Sequence, residues 1–353
     1  MNQIIMAFFA AGAILGGIDY MTGNQKGYGA KFEEALMLLG PTALSMAGII
    51  CIVPALSRLL ALFITPLCHL SGIDPAIAGG ILAIDMGGYQ LAVQLADDPS
   101  LGSFFGIVIG AVFGCTVTFT LPIGMGMIDR QDHPLFLKGM IIGMITMPAG
   151  FFTGGLLCGF APLRLLWQLS PILLLALFLI LGLWRMPDRM IRFFQLFVRF
   201  FKILITLGLI AGAVCYLLKL EFSWLTPLID AMGVVSSICV VMLGSLPATL
   251  FFQRVLRKPL HALGRKIGLE DTAIAALLIG AVSVLPALTM VKDMSPKGKL
   301  AVCSWLVSAA SLMGAHIAFT AGAAPDMTAP LIAAKLSGAF LALFASLLLT
   351  RRA

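Results

Sequence analysis

The sequence predicts an all-α integral membrane protein that crosses a lipid bilayer about ten or eleven times. Of its 353 residues, 60% are hydrophobic and only 11% are charged, whereas soluble domains have about 45–50% and 25%. The charged residues form short runs between long stretches without Asp, Glu, Lys or Arg. Apolar residues in these stretches do not alternate with a period of two, which argues against β-barrel strands.

Each charge-free stretch is a candidate membrane-spanning helix, because a hydrocarbon core about 30 Å thick needs about 20 helical residues. The stretches are residues 1–18, 35–57, 99–128, 139–163, 165–184, 231–253, 272–291 and 300–325. Three further segments are residues 203–218 and 336–350, which end at basic residues, and residues 75–96, which contain a single carboxylate. Together they predict about eleven helices.

The basic residues predict the orientation of the chain. Ten of the 23 basic residues lie in residues 185–202 and 254–266, and cytoplasmic connections are enriched in Lys and Arg. Counting outward from these two connections, eleven crossings give a cytoplasmic N-terminus and an external C-terminus. Arg351 and Arg352 would then lie outside, so a ten-span chain is the alternative.

Missing motifs exclude several other classes of protein. The sequence contains no HExxH motif, P-loop, GxSxG motif or dinucleotide fingerprint after a strand,. We therefore expect no cofactor and no enzymatic reaction. The sequence also has no CxxC motif or Cys/His cluster, so we expect no metal site,. The net charge of +7 is concentrated at helix ends, which indicates a bilayer as the partner and not a nucleic acid,.

Glycine and proline markers recur at a constant offset of 193 residues. The markers are Gly40, Pro54 and Pro66 in the first half and Gly233, Pro247 and Pro259 in the second. They predict a duplication within a single membrane domain, residues 1–353: repeat 1 over 36–160, a linking helix and basic connection over 161–228, and repeat 2 over 229–350. Such duplications are typical of secondary transporters. The alternative is coincidence, because Gly and Pro are frequent in membrane helices.

The orientation of the two predicted repeats stays open. Eleven crossings make the halves parallel, whereas inverted repeats need an odd number of crossings between their starting points.

Asp85 is the first candidate site residue. It lies between the pairs Gly79-Gly80 and Gly87-Gly88, and an ionisable residue at membrane depth is by default functional. Glycine pairs let a helix unwind or let backbones approach closely, which suits a small cation beside a carboxylate. Tyr89 would share a face with Asp85 and offer a π surface or a hydroxyl. The alternative is a packing seam in which Asp85 pairs with Lys or Arg.

Five weaker candidates have open alternatives. Glu33 and Glu34 lie near a helix end, where a capping or solvated role competes with a ligand role. Ser283, in the second-half counterpart of the first candidate segment, offers a hydroxyl. His316 is a proton relay, a hydrogen-bonded core residue or a site lining. Lys335 neutralises the first candidate carboxylate or extends to the membrane interface.

Several segments resemble the EutH family of bacterial ethanolamine-utilisation permeases, over nearly the whole chain. They are Gly79-Gly80-Ile81-Leu82-Ala83-Ile84-Asp85-Met86-Gly87-Gly88-Tyr89, Phe32-Glu33-Glu34, Lys292-Asp293-Met294, Gly314-Ala315-His316 and Lys335-Leu336-Ser337-Gly338. The resemblance implies a multi-pass inner-membrane transporter that imports ethanolamine for catabolism. Ethanolamine is mostly protonated at neutral pH, so the resemblance and the residue argument both favour Asp85 as its counter-charge.

Two positions depart from the family pattern, which has Asn at about Ser283 and Asp at Ala315. They make a different small amine the first alternative. A membrane-embedded enzyme or sensor is the second, although no reactive cluster is visible in the sequence. The coupling ion, the choice between channel and carrier, and the formation of a homo-oligomer are open.

Overall fold

The computed structural model describes residues 2–82 and 87–351, and regular structure in these residues is helical. The α-helices are α1 (Asn2–Met21), α2 (Tyr28–Met37), α3 (Leu39–Ser71), α4 (Ile77–Ile81), α5 (Gly88–Leu95), α6 (Pro99–Phe104), α7 (Leu121–Met127), α8 (His133–Leu157), α9 (Pro162–Arg185), α10 (Pro187–Leu218), α11 (Leu228–Lys266), α12 (Asp271–Val282), α13 (Val284–Thr289), α14 (Pro296–Ala309), α15 (Ile317–Ala323) and α16 (Thr328–Arg351). The predicted all-α polytopic fold is confirmed.

Within the described residues, nine helical segments are long and apolar enough to cross a membrane. They are formed by α1, α2–α3, α6–α7, α8, α9, α10, α11, α14–α15 and α16. The π-helical segments Phe105–Gly114 and Thr116–Thr120 join α6 to α7, and Leu312–His316 joins α14 to α15. The two remaining segments of the eleven expected from the sequence are residues 75–96 and 272–291, and the helices in their described parts are the short α4, α5, α12 and α13.

The two described parts of the first segment, residues 77–82 and 87–95, lie against each other, and we call them together hairpin 1. At its root, the Asp74 carboxylate accepts 2.9 Å hydrogen bonds from the backbone N–H groups of Ala76 and Asp98. Burial raises the pKa of the Asp74 carboxyl above its ordinary value. The two hydrogen bonds act in the opposite direction but do not cancel the effect of burial. Within the hairpin α4 lies against α5, since a Cβ at Gly79 would be 2.5 Å from the Ala92 Cα. Both ends of hairpin 1 therefore lie at one face of the protein.

The second short-helix segment also returns to the face from which it starts, and we call residues 271–293 hairpin 2. Its longer helix, α12, has 12 residues and is about 18 Å long, too short for a core about 30 Å thick. At the root, Glu270 accepts hydrogen bonds of 2.9 and 2.8 Å from the backbone N–H and hydroxyl of Ser295. The Lys297 ammonium donates to the Ile267 carbonyl at 2.7 Å. Hairpin 2 therefore also returns to the face from which it starts.

An arrangement of nine crossings and two returning hairpins, counted over residues 2–82 and 87–351, removes the charge conflict of the eleven-span arrangement. With the two basic connections placed in the cytoplasm, α1 begins outside and α16 ends at Arg351 inside. The external ends of the described helices carry only Arg58, Arg164 and Lys219 among their basic residues. Hairpin 1 then enters from the external face and hairpin 2 from the cytoplasmic face.

A reporter fusion tests this orientation. We expect a C-terminal alkaline phosphatase fusion to be inactive and a C-terminal green fluorescent protein fusion to fluoresce, because the nine-crossing arrangement places the C-terminus in the cytoplasm. A phosphatase inserted after Phe222, between α10 and α11, should be active. An active C-terminal phosphatase would instead support an external C-terminus and would contradict the nine-crossing arrangement.

The two halves have the same order of elements. In each half a long helix contains two prolines, Pro54 and Pro66 in α3 or Pro247 and Pro259 in α11, and ends near a glycine with positive φ, Gly72 or Gly268. A hairpin follows, then a crossing that begins at Pro99 or Pro296 and in which π-helical segments interrupt the α-helix; we call this crossing the interrupted helix of its half. A further crossing comes next. Five crossings separate the start of α3 from the start of α11, so the halves run in opposite directions. The internal duplication itself stays a prediction.

Candidate functional site

Each hairpin packs against an interrupted helix of its own half. In the first half, a Cβ at Gly80 would lie 2.8 Å from the Phe105 carbonyl oxygen, and one at Gly106 would lie 2.8 Å from the Tyr89 Cα. In the second half, the Ser311 N–H donates to the Gly280 carbonyl at 3.1 Å. The close backbone approach explains why glycines stand at these positions.

The second interrupted helix, α14–α15, leaves helical geometry at Ala310, Ser311 and Gly314. Ala310 has ψ of 126°, Ser311 lies in the left-handed region with φ of 53°, and Gly314 has φ of −107° and ψ of −120°. A helix that ends inside a membrane leaves carbonyl oxygens without partners from its next turn. These carbonyls therefore need donors from elsewhere in the protein.

Lys335 of α16 supplies such a donor. Its side chain is fully buried, and its ammonium donates to the carbonyls of Ala111, Ser308 and Ala310 at 2.9, 3.1 and 2.9 Å. Ala111 belongs to the first interrupted helix and the other two carbonyls to the second. Lys335 thus joins the halves at the centre of the helix bundle and does not extend to the membrane interface.

Tyr89 makes a second connection between the halves. Its hydroxyl donates to the Ala323 carbonyl at 3.4 Å, and its ring meets Phe319 edge-on, with centroids 5.8 Å apart. Gly87 and Gly88 before it are buried, and a Cβ at Gly87 would lie 2.8 Å from the Ile49 side chain. Hairpin 1 is therefore held against both α3 and α15.

Asp85, the first candidate of the sequence analysis, lies outside the described residues, which resume at Gly87. Its role, and its pairing with Lys335, remain predictions.

Ser283 and His316 lie on neighbouring elements. Ser283 is the extended residue between α12 and α13, with φ of −148° and ψ of 132°, and it is half-buried. His316 is buried at the end of the break in α14–α15. A Cβ at Gly314, two residues before His316, would collide with the Val282 carbonyl. The turn of hairpin 2 therefore lies against the helix break that carries His316.

Glu33 and Glu34 are placed differently. Both are exposed on α2, which packs against α1 and α11. Glu34 forms an ion pair with Lys31 at 2.5 Å. Neither lies in the first turn of α2, whose N-cap has no side-chain hydrogen bond, so of their alternatives the solvated role fits this exposed position and the ligand role stays a prediction.

Sequence reasoning missed several buried hydroxyl groups. Thr120, Ser245 and Ser308 are fully buried, and their hydroxyls have no hydrogen-bond partner among the described residues. The Thr116 hydroxyl bonds to the carbonyls of Val112 and Val307 at 2.6 and 3.1 Å, and so links the two interrupted helices. Their only signal in the sequence is a polar residue within an apolar run.

Comparison with known families decides the affiliation of the chain. A family model described as "Ethanolamine utilisation protein, EutH" matches residues 1–349. The chain belongs to the EutH family. It is therefore a multi-pass protein of the bacterial inner membrane, as the sequence resemblance implied.

The relatives cover almost the whole chain. The "Probable ethanolamine permease EutH" of Listeria monocytogenes is 37% identical over 354 residues, 100% of this chain and 95% of the relative. The "Uncharacterized protein YxeR" of Bacillus subtilis is 36% identical, covering 96% of this chain and 92% of the relative. The "Probable ethanolamine permease EutH" of Escherichia coli is 32% identical, covering 92% and 86%. No solved structure matches the chain.

The central region of this EutH-family chain offers backbone carbonyls and hydroxyls, while the described buried carboxylates are engaged at its faces. Asp19 accepts from the backbone of Lys26 and Gly29 at 2.9 Å. Asp74 binds the root of hairpin 1, and Asp132 pairs with Lys299. Among the described residues, no group of three or more His, Cys, Asp or Glu could hold a metal ion.

Proposed function

We propose that this protein carries ethanolamine, as the ethanolammonium cation, across the bacterial inner membrane to supply ethanolamine catabolism. The observation that carries the proposal is the pair of hairpins that start from opposite faces and pack against interrupted helices. Discontinuous helices at the interface of two halves are the usual binding elements of secondary transporters, and α14–α15 is broken in this way. The names of the Listeria and Escherichia relatives supply the substrate.

We also propose that the two halves are inverted repeats. The supporting observations are the shared order of elements, the five crossings between their starts and the matching hairpin roots. Asp74 accepts from the N-cap residue before Pro99, and Glu270 accepts from the N-cap residue before Pro296. Inverted repeats allow a carrier to expose one central site alternately to the two faces.

Asp85 is proposed as the counter-charge of the substrate. The other acidic residues of the sequence lie at helix ends, in connections or, for Glu33 and Glu34, exposed on α2. The buried carboxylates among them already have partners. Asp85 alone lies in an apolar run, between α4 and α5 of hairpin 1. A primary ammonium at membrane depth requires such a carboxylate, because an uncompensated charge there is costly.

We expect Asp85→Asn to lower ethanolamine uptake roughly a hundredfold or more, because losing one member of a buried charge pair costs about 3–5 kcal/mol. Uptake of labelled ethanolamine into proteoliposomes, at low pH and micromolar substrate, measures the effect. Glu34→Gln is the matched control, since the exposed Glu34 lies away from the hairpins, and it should leave uptake within about twofold. Unchanged uptake by folded Asp85→Asn would exclude Asp85 as the counter-charge.

A related small amine is the second candidate substrate. It is favoured by the position of Ser283, whose short side chain stands at the turn of hairpin 2 where the family pattern has a larger amide. Competition of ethanolamine uptake by 2-aminopropanol and by propylamine distinguishes the candidates. A competitor that inhibits at lower concentration than unlabelled ethanolamine would replace ethanolamine as the proposed substrate.

A further inference from the structure

We propose that Lys335 is a resident cation: its ammonium permanently fills a monovalent-cation site formed by the carbonyls of Ala111, Ser308 and Ala310. The transport core then needs no bound Na⁺ or K⁺ to assemble. The uptake part of this proposal rests on the proposed carrier function, and the stability part does not.

The geometry of the three acceptors carries the proposal. A primary ammonium donates hydrogen bonds and accepts none, and the partners of Lys335 include three carbonyls 2.9–3.1 Å from its nitrogen. These are ordinary distances for an ammonium that donates to carbonyl oxygens. Groups of backbone carbonyls are also the ligands that replace the hydration shell of K⁺ in membrane channels.

The backbone explains why the two carbonyls of α14 need a donor from outside their own helix. Ala310 leaves helical geometry with ψ of 126°, so the last carbonyls of α14 lose the partners that a continuing helix would supply. Ala111 lies within the π-helical segment Phe105–Gly114. With the ammonium removed, carbonyls from both interrupted helices would face one another in a fully buried region, which is costly at membrane depth.

The position of Lys335 connects this cation site to transport. Its acceptors belong to the two interrupted helices against which hairpins 1 and 2 pack. A dissociable cation there would couple assembly of the two halves to the concentration of that ion. A cation fixed to α16 removes this dependence, so we expect uptake to be independent of Na⁺ and K⁺.

Chemical rescue tests the site in the purified full-length protein. Lys335→Ala removes the ammonium and opens space for methylammonium, which has the same donor group. We expect its Tm to fall by about 5–10 °C in N-methylglucamine chloride. Millimolar methylammonium chloride at equal ionic strength should restore at least half of the loss. Na⁺ should restore less, because a smaller ion requires the carbonyls to move inward.

Two control variants distinguish the effect of losing the ammonium from the effects of lost packing and of a changed salt. Lys335→Met keeps a long side chain without the charge and blocks the space, so it should be destabilised and not rescued. Lys138→Ala removes an exposed lysine of α8 and should keep the wild-type Tm in every salt. Rescue of Lys335→Ala by methylammonium but not of Lys335→Met supports the proposal. Wild-type stability in Lys335→Met, or no rescue of folded Lys335→Ala by any cation, overturns it.

The wild-type protein decides the question if neither variant folds. Its Tm and its ethanolamine uptake should be the same in Na⁺, K⁺ and N-methylglucamine salts, and a requirement for Na⁺ or K⁺ would overturn the proposal. Absence of ethanolamine uptake in every salt would reject the carrier function alone, because the Tm comparison would still decide the role of Lys335.

Discussion

Asp132→Ala is expected to destabilise the protein by about 3–5 kcal/mol, because it leaves the Lys299 ammonium buried without its partner. Asp132 and Lys299 are 5% and 8% exposed, and their charged atoms are 2.5 Å apart. The pair joins the cytoplasmic end of α8 in the first half to the first turn of α14 in the second. Thermal or denaturant unfolding in detergent measures the loss.

The double variant Asp132→Leu with Lys299→Met provides the decisive comparison. It removes both charges, so we expect stability within about 1 kcal/mol of the wild type or above it. The second oxygen of Asp132 has no hydrogen-bond partner among the described residues, so the pair is incompletely compensated. The exposed pair of Lys31 and Glu34 is the matched control: Lys31→Ala should cost at most about 1 kcal/mol. Equal costs for Asp132→Ala and Lys31→Ala would contradict the assignment.

Composition alone predicted the membrane fold, because burial in lipid requires apolar helices wherever the chain crosses. It could not distinguish a crossing from a returning hairpin. Residues 272–291 are as long and apolar as a span, and the turn at Ser283 depends on partners distant in sequence. The Ser311 N–H binds the Gly280 carbonyl, and Glu270 binds Ser295. Distant contacts of this kind leave no periodic signal in the sequence.

The sequence predicted one part of the candidate site, the close packing at the glycines, but not the partners of its buried lysine. The glycines around Asp85 correctly indicated close backbone approach, since Gly79 and Gly80 meet Ala92 and Phe105. The environment of Lys335 was not predictable, because its acceptors are backbone carbonyls that any residue type can provide. Glu33 and Glu34 were candidates because they belong to a segment that resembles the family. The sequence of that segment does not indicate that both side chains are exposed on α2.

The glycines of hairpin 1 give the second large expected effect. Gly79→Leu should lower uptake at least tenfold, because its Cβ would lie 2.5 Å from the Cα and 2.6 Å from the Cβ of Ala92. A backbone atom cannot give way as a flexible side chain can, so α4 and α5 must separate. Overpacking of this kind typically costs about 1–3 kcal/mol, concentrated here in the hairpin beside the proposed site.

The protein should still insert and fold in this variant. The extensive packing of α8 against α14 and α16 does not involve Gly79, and the Asp74 root of the hairpin is retained. Gly79→Ala should give an intermediate loss of uptake, since it introduces the same Cβ without the longer side chain. Gly233→Ala in α11 is the control: no atom lies within 4 Å of its added Cβ, so uptake should be unchanged and helix stability should rise by up to about 1 kcal/mol. Wild-type uptake by Gly79→Leu would show that the contact between α4 and α5 is dispensable, and hairpin 1 would then lose its place in the transport mechanism.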